Sequence, residues 1–440
     1  MGGPHDQMDQ MPHPPNFARR IWQRLHPTPP LERLYLVSAG GQPNFGDEYI
    51  TRAWLRFLAK SKPDAEVWLD CPEPGRASFL FEGIHPNLRT TNTLWQASSS
   101  VDGKTARTIG ERVGELVKHL GSPRFDLGLE ALRHMTSLHL LGGGYVNDLW
   151  PRNAGLLAGL VEAHRMSGAP LFATGLGATP IGADNAEYIA TLLREAAFAE
   201  ARDPQTAAAL GIPLGLDDAF LELLTAPDSV APVTVDHQSR PDASAEQPEA
   251  LPRVMLLIQG DFDVDGGEQS IAGIIDRFVD MHVRPGEAIG LVEAIPPDDM
   301  RHVARLADEL PNVRRYPFQW IWTHGLPAHA GQIWLTTRFH PHLLAAAAGA
   351  SGTIVGVHDG YYDIKHESLL RLGTGWQYAH SGLGPVDVEL APSSNPAFPV
   401  YAAAYSREKI RVADGLYPVT TSRRNLRITL LRRPGRRSSG

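Results

Sequence analysis

Apolar and polar positions along this chain follow one order many times over. LYLVSA (34–39) is a short apolar run fit for a strand buried in a parallel sheet, and a glycine-rich turn follows it. The next stretch puts Ile50, Ala53, Trp54, Phe57 and Leu58 on one helical face. SLHLL, then Gly142–Gly144, then a helix starting near Pro151 with Leu156, Leu157, Leu160 and Val161 repeat that order. PLFATGLG is the next strand. In RDPQTAAALG, Asp203 predicts an N-cap, Pro204 the first helical residue and Gly211 the C-terminal stop.

Residues 226–252 break the rhythm: they show no periodicity and are dense in Pro, Ser, Asp and Ala, which predicts a linker. Then the alternation restarts with strand RVMLLI, a helix over about 268–282, strand AIGLVEA and a helix over about 298–309. Strands VRRYPF and QIWLTT, an alanine-rich helix, strand TIVGV, a helix over about 363–372 and strand WQYAHS complete it. Such strand–helix alternation predicts an α/β fold with two doubly wound, mostly parallel sheets. The expected architecture is two Rossmann-like domains facing a cleft, with strand C-termini pointing into it. The implied boundaries are a disordered head over 1–30, an N-terminal domain over 31–225, the linker, a C-terminal domain over 253–385 and an extension over 386–440.

Composition agrees with this division. At 440 residues the chain is too long for one ordinary core. Its 42% apolar and 20% charged residues are those of a soluble globular protein, and a net charge of −8 gives no reason to expect nucleic acid as a partner. Cys71 is the only cysteine, which excludes an intrachain disulfide and a thiolate metal cluster within one chain. The Pro- and His-rich head lacks the apolar core of a signal peptide, and no uninterrupted apolar run reaches about 18 residues, so a cytoplasmic protein is expected. The tail from Ser422 carries seven Arg in sixteen residues. It reads as a solvated end or, more sharply, as a peripheral contact with anionic lipid headgroups at the inner face of the membrane.

Candidate chemistry collects at strand ends. In TTRFHPHLLAAAAGA (336–350), Arg338 follows a strand, and Pro341 suits the first helical position, which puts His340 near the N-cap. Free N–H groups and the helix dipole favour an anion there, Arg338 adds a planar fork for carboxylate or phosphate, and His340 could supply a proton. The plainer reading is an arginine tying loops together and a histidine capping its own helix. His342 is expected on the helix surface or behind the site. Lys365, in DIKHESLLRLG, sits in a first helical turn, where a cation opposes the macrodipole and so hints at an anionic ligand; pairing with Asp363 or Glu367 is the alternative. In GGQPNFGDEYITRAW the carboxylates of Asp47 and Glu48 would repel a phosphate and suit sugar hydroxyls better, although Asp47 could be only the helix cap. LLGGGYVND offers a further glycine turn, and Asp217 and Asp218 in LGLDDAF read as holding a turn rather than a metal.

Together these segments resemble the polysaccharide pyruvyl transferase family. GGQPNFGDE stands for its Gly–x–x–Asn–x–Gly–Asp opening, LLGGGYVND for its triple-glycine turn and EARDPQTAAALG for its Arg-Asp helix start. DDAF matches its Asp-rich turn, TTRFHPHLLAAAAGA its Arg–x–His helix and DIKHESLLRLG its Asp–Pro–Lys segment, with Ile364 in the place of the usual proline. The resemblance spans roughly residues 34–375. It implies a fold like that of the two-domain, GT-B-type glycosyltransferases. Phosphoenolpyruvate would be the donor co-substrate, a sugar, glycan or glycolipid the acceptor, and no metal or other cofactor would be needed. Arg338, His340 and Lys365 would then bind the donor, and Asn44, Asp47, Glu48, Gly143 and Gly144 would face the acceptor. His340 is the candidate acid, and Asp47 the group that orients or deprotonates the acceptor. A nucleotide-sugar glycosyltransferase of the same architecture and a catalytically idle member are the competing readings.

Overall fold

The structure, a computed structural model, describes residues 31–223, 250–260, 268–356, 362–379 and 390–419. The expected head, residues 226–249 of the expected linker and the Arg-rich tail lie outside these residues.

Twelve strands form two sheets. The first holds β1 (Arg33–Val37), β2 (Glu66–Asp70), β3 (Leu88–Thr91), β4 (Ser137–Leu140), β5 (Leu171–Leu176) and β6 (Phe198–Ala201) in the order β3-β2-β1-β4-β5-β6. The second holds β7 (Val254–Leu257), β8 (Ile289–Val292), β9 (Val313–Tyr316), β10 (Ile333–Thr336), β11 (Ser351–Val355) and β12 (Gln377–Ala379) in the order β12-β11-β10-β7-β8-β9. Every pairing is parallel. Numbered within its own half, each sheet has the doubly wound order 3-2-1-4-5-6. Helices cover both faces, so central strands such as β4, β5 and β7 are buried at every position and are mostly apolar, β7 without a break. The edge strand β3 (LRTT) is only partly covered and shows no such run, which is why it escapes a hydrophobicity reading.

In each sheet the connections diverge between the first and fourth strands, β1 and β4 in one and β7 and β10 in the other. That divergence opens a crevice beyond the strand C-termini. The two crevices face each other because the units are joined by one apolar core, which runs from Phe45, Trp54 and Phe220 to Met255, Trp334 and Phe339. The backbone N–H of Phe45, one of the unpaired donors at the start of helix Phe45–Ser61, donates to the Ala294 carbonyl of the other unit at 3.0 Å. Nearby, the Arg52 guanidinium lies 4.7 Å from the Trp322 ring centre.

Helix Phe398–Leu416, within the expected C-terminal extension, crosses back to the first unit. Its Lys409, 1% exposed, pairs with Glu200 and with Asp218, the latter at 2.5 Å. Tyr417 follows and packs edge-on against Trp54 and Phe172. No described helix is long and apolar enough to cross a membrane.

Two sequence expectations need correction. The helix over 298–309 is a 3₁₀ turn at Asp298–Met300 and a single helical turn at Leu306–Glu309. Asp299 folds back on the chain ahead of the 3₁₀ turn: its Oδ2 accepts from the Ala294 and Ile295 N–H groups at 2.9 Å each. Of the two places expected for His342, the helix surface is ruled out. The residue is fully buried, with Nε2 3.0 Å from Thr374 Oγ1 and its ring 4.8 Å from that of Trp376.

Candidate functional site

The local chain geometry at each strand end sets the site. After β1, Asn44 rather than Asp47 caps helix Phe45–Ser61: its Oδ1 accepts from Gly46 N–H at 3.2 Å, and its Nδ2 donates to Asp47 Oδ2 at 2.8 Å. Asp47 is thus a first-turn acid held by the cap. Glu48 points the other way, and both its oxygens accept from the Gly41 N–H, at 2.8 and 2.9 Å. Burial raises its carboxyl well above the ordinary range, with the Gly41 hydrogen bond opposing. Its role is to fix the glycine loop, and it does not line the cavity.

After β10, helix Phe339–Ala347 begins two residues earlier than Pro341 suggests, so Arg338 takes the cap position and His340 lies in the first turn. Proline fits anywhere in that turn, since none of its N–H groups has an intrahelical partner. Arg338, 8% exposed, donates to Asp299 Oδ1 from Nε (3.1 Å) and Nη2 (2.5 Å).

These segments meet around a cavity of about 370 Å³ lined from both units. Asn44, Gly46, Asp47, Gly144, Trp150 and Arg202 come from the first unit, and Arg338, His340 and Lys365 from the second. Glycines make the approach possible. A methyl group on Gly144 would lie 2.9 Å from Arg202 Nη2 and 3.1 Å from Lys365 Nζ, and one on Gly46 would overlap His340 Nδ1 at 1.9 Å. Gly143, at φ +151°, shapes the same turn behind them, outside the cavity lining.

The electrostatics are those of clustered, poorly solvated charges. Burial holds Lys365 well below the usual ammonium range, helped by the Arg202 and Arg338 cations and opposed by Asp47. Burial raises the Asp47 carboxyl, opposed by His340, Arg202 and Lys365. Asp217 goes the other way: burial would raise it, but His340, Arg202 and the Ala219 N–H together hold it well below the ordinary carboxylate range. Its Oδ2 accepts from Arg202 Nη1 at 2.8 Å, and its Oδ1 lies 3.4 Å from His340 Nε2, an ionic contact longer than a good hydrogen bond.

Sequence reasoning brought Asn44, Asp47, Gly144, Arg338, His340 and Lys365 to one place, and it did not place Arg202, Asp217 or Asp299 among the site residues. For Arg202 a signal existed. ARDP at the end of β6 repeats the arrangement of TRFHP at the end of β10: an arginine at a strand terminus, just ahead of a helix with proline in its first turn. Asp203 caps its helix through Thr206 N–H, with Pro204 first and Gly211 last, as the spacing predicts. Asp217 and Asp218 do hold a turn: Asp217 caps the 3₁₀ turn Asp218–Leu221, and Asp218 accepts from Trp54, Gly142 and Thr174. Among the described residues, no group of three or more His, Cys, Asp or Glu side chains could hold a metal ion.

Two Rossmann-type units with a cation-lined cavity between their strand ends define a two-domain α/β protein. The sequence model of the family described as polysaccharide pyruvyl transferase matches residues 44–319, and the chain belongs to that family of transferases. The matched stretch includes Asp47, Gly144, Arg202 and Asp217 and ends ahead of Arg338. No curated protein matches the chain in sequence. Among solved structures it is similar to the UDP-GlcNAc 2-epimerase of Neisseria meningitidis bound to UDP-GlcNAc, at 11% identity over 92% of this chain and 100% of that one, with a TM-score of 0.44. It is also similar to Arabidopsis thaliana UGT89C1 complexed with UDP-L-rhamnose, at 10% identity over 92% and 99%, with a TM-score of 0.47. These superpositions are loose, and the fold rests on the strand order of the two sheets themselves.

Proposed function

We propose that the protein transfers the pyruvyl unit of phosphoenolpyruvate onto two hydroxyls of a sugar in a glycan or glycolipid, forming a ketal. One observation carries this reading: Arg202, Arg338 and Lys365, from both units, line one cavity opposite Asp47 and His340. Three cations crowded together repel one another, and a ligand bearing both a carboxylate and a phosphate would relieve that repulsion.

In this reading His340 protonates the methylene carbon of phosphoenolpyruvate, and positive charge develops on the carbon that bears the phosphate. Asp47 takes the proton of the first sugar hydroxyl as its oxygen bonds to that carbon. The carbon–oxygen bond to phosphate then breaks, and the second hydroxyl closes the ring. Of the two hydroxyl protons, one replaces the proton delivered to carbon and the other leaves with phosphate. Arg338, Lys365 and Arg202 hold the donor and receive the departing dianion.

The test is incubation with phosphoenolpyruvate and a panel of glycans, with phosphate release and the mass of a ketal product as readouts. Phosphoenolpyruvate should raise the melting temperature, and nucleotide sugars should not. Stabilisation by a nucleotide sugar alone, with its sugar passed to the glycan, would replace this reading by glycosyl transfer.

A further inference from the structure

His340 belongs to the second unit, but the charged group closest to its buried nitrogen belongs to the first. Asp217 Oδ1 stands 3.4 Å from Nε2, which is out of contact with solvent and has no hydrogen-bond partner. The opposite ring nitrogen, Nδ1, lies against Gly46 at the cavity wall. The carboxylate is itself fixed on two further sides, Oδ1 by the Ala219 N–H at 2.8 Å and Oδ2 by Arg202 Nη1 at 2.8 Å, and the residue is 2% exposed. One apolar core joins the two units, so the distance between them is held by packing rather than by a hinge.

We propose that Asp217 is a positioning residue for His340: it draws the Nε2–H toward itself as acceptor and thereby leaves Nδ1 as the nitrogen that exchanges a proton with substrate. The proposal rests on the reading of His340 as the proton donor. A neutral imidazole carries one N–H, and a hydrogen bond at one nitrogen decides which. Nothing else within hydrogen-bonding distance of Nε2 competes for that role, and the residue that carries the other nitrogen lines the space a substrate would fill. Asp217 also holds the ring in place as it becomes cationic, because a fixed anion already stands beside it. Four other charged groups share the neighbourhood. Asp47, Arg202, Arg338 and Lys365 all line the cavity, and Arg202 bonds the far oxygen of Asp217, away from His340.

The experiment uses the full chain with ¹⁵N-labelled histidine, and the His340 resonances are assigned as those lost in His340→Gln. At a pH where the ring is neutral, the wild type should show the Nε2–H tautomer. In Asp217→Ala the two tautomers should mix. Asp217→Asn keeps an acceptor oxygen but not the charge and should fall between them. With phosphoenolpyruvate and an active acceptor, kcat should fall about 10²-fold in Asp217→Ala, the scale of a misplaced catalytic group, while the KM for phosphoenolpyruvate moves less than about three-fold. A wild-type protein with the proton on Nδ1 overturns the proposal without any variant, which covers the case in which Asp217→Ala does not fold. An unchanged tautomer and unchanged kcat in a folded Asp217→Ala overturn it as well. If the tautomer depends on Asp217 but no acceptor ever releases phosphate, then the pyruvyl-transfer reading fails and the positioning of His340 stands.

Discussion

Arg338 carries both readings of its motif at once. It ties a loop by donating twice to Asp299, and it also lines the cavity. The ion pair does not compete with ligand binding so much as aim the guanidinium, since a planar fork held at one edge has a defined direction. Removing it should cost about 1.5–3 kcal/mol of donor binding, the worth of a charge-assisted hydrogen bond, so Arg338→Ala should raise the Kd for phosphoenolpyruvate ten-fold or more. Isothermal titration of a folded variant checks this, and an unchanged affinity would leave Arg338 as a loop tie only. Asp47 is the complementary case. It is not the helix cap, because Asn44 does that work, so its carboxylate is available to the cavity. Asp47→Asn should lower kcat by about 10²-fold or more, the usual contribution of a general base, with donor affinity kept. Full turnover at saturating acceptor would remove it from the chemistry.

At the scale of elements, two helix starts from different units meet at a single glycine. Gly46 lies in the first turn of helix Phe45–Ser61, against the ring of His340 in the first turn of helix Phe339–Ala347. A methyl group at position 46 meets a side chain, not backbone, and a side chain can move aside. Gly46→Ala should therefore leave the melting temperature within a few degrees of the wild type while displacing His340. Turnover should drop by about 10²-fold, as expected for a shift of about 1 Å in a reacting group. A Gly46→Ala protein of normal activity would show that the position of His340 is not critical.

For the whole molecule, buried charges report on how the units are joined. Lys409 alone compensates two acidic groups of the other unit, Glu200 and Asp218, both almost fully buried. Lys409→Met should destabilise the protein by about 3–5 kcal/mol, because it leaves those carboxylates without their cation. Urea unfolding measures it, and a loss under about 1 kcal/mol would mean the helix docks by apolar contact alone. Acid acts through buried histidines. Burial lowers His366 to about 4 and His139 to about 3, and His342 well below its ordinary value. A histidine lowered in the fold contributes stability that is present above about pH 6.5 and is lost as pH falls toward its folded value. Relative to His366→Gln, the wild type should thus lose roughly 2–3 kcal/mol between pH 7 and pH 4.5. Parallel stability curves for the two proteins would show that His366 does not stay neutral in the fold.

The sequence alone determined what depends on neighbours along the chain. Strands covered on both faces are mostly apolar, so β1, β5, β7, β8, β10 and β11 could be read as apolar runs, and the regular alternation with helices placed β4, β9 and β12 among them, which gave the α/β class and the two-unit plan. The Asp203–Pro204–Gly211 helix was legible because caps act within three or four residues. The motifs that follow β1, β4, β10 and β11 marked six residues that share one cavity. Strands β2, β3 and β6 were not read, nor was the broken segment after Pro297, a 3₁₀ turn and a single helical turn in place of a helix. Only the tertiary structure decided which acids face the cavity. Asp47 and Glu48 are adjacent in sequence, but successive helical side chains point about 100° apart, and one lines the cavity while the other closes a glycine loop. It decided, too, that Asp217 stands beside His340 and that Lys409 reaches Glu200 and Asp218. Those partners lie more than a hundred residues apart, and their contact comes from the packing of one unit on the other, which leaves no local periodicity in the sequence.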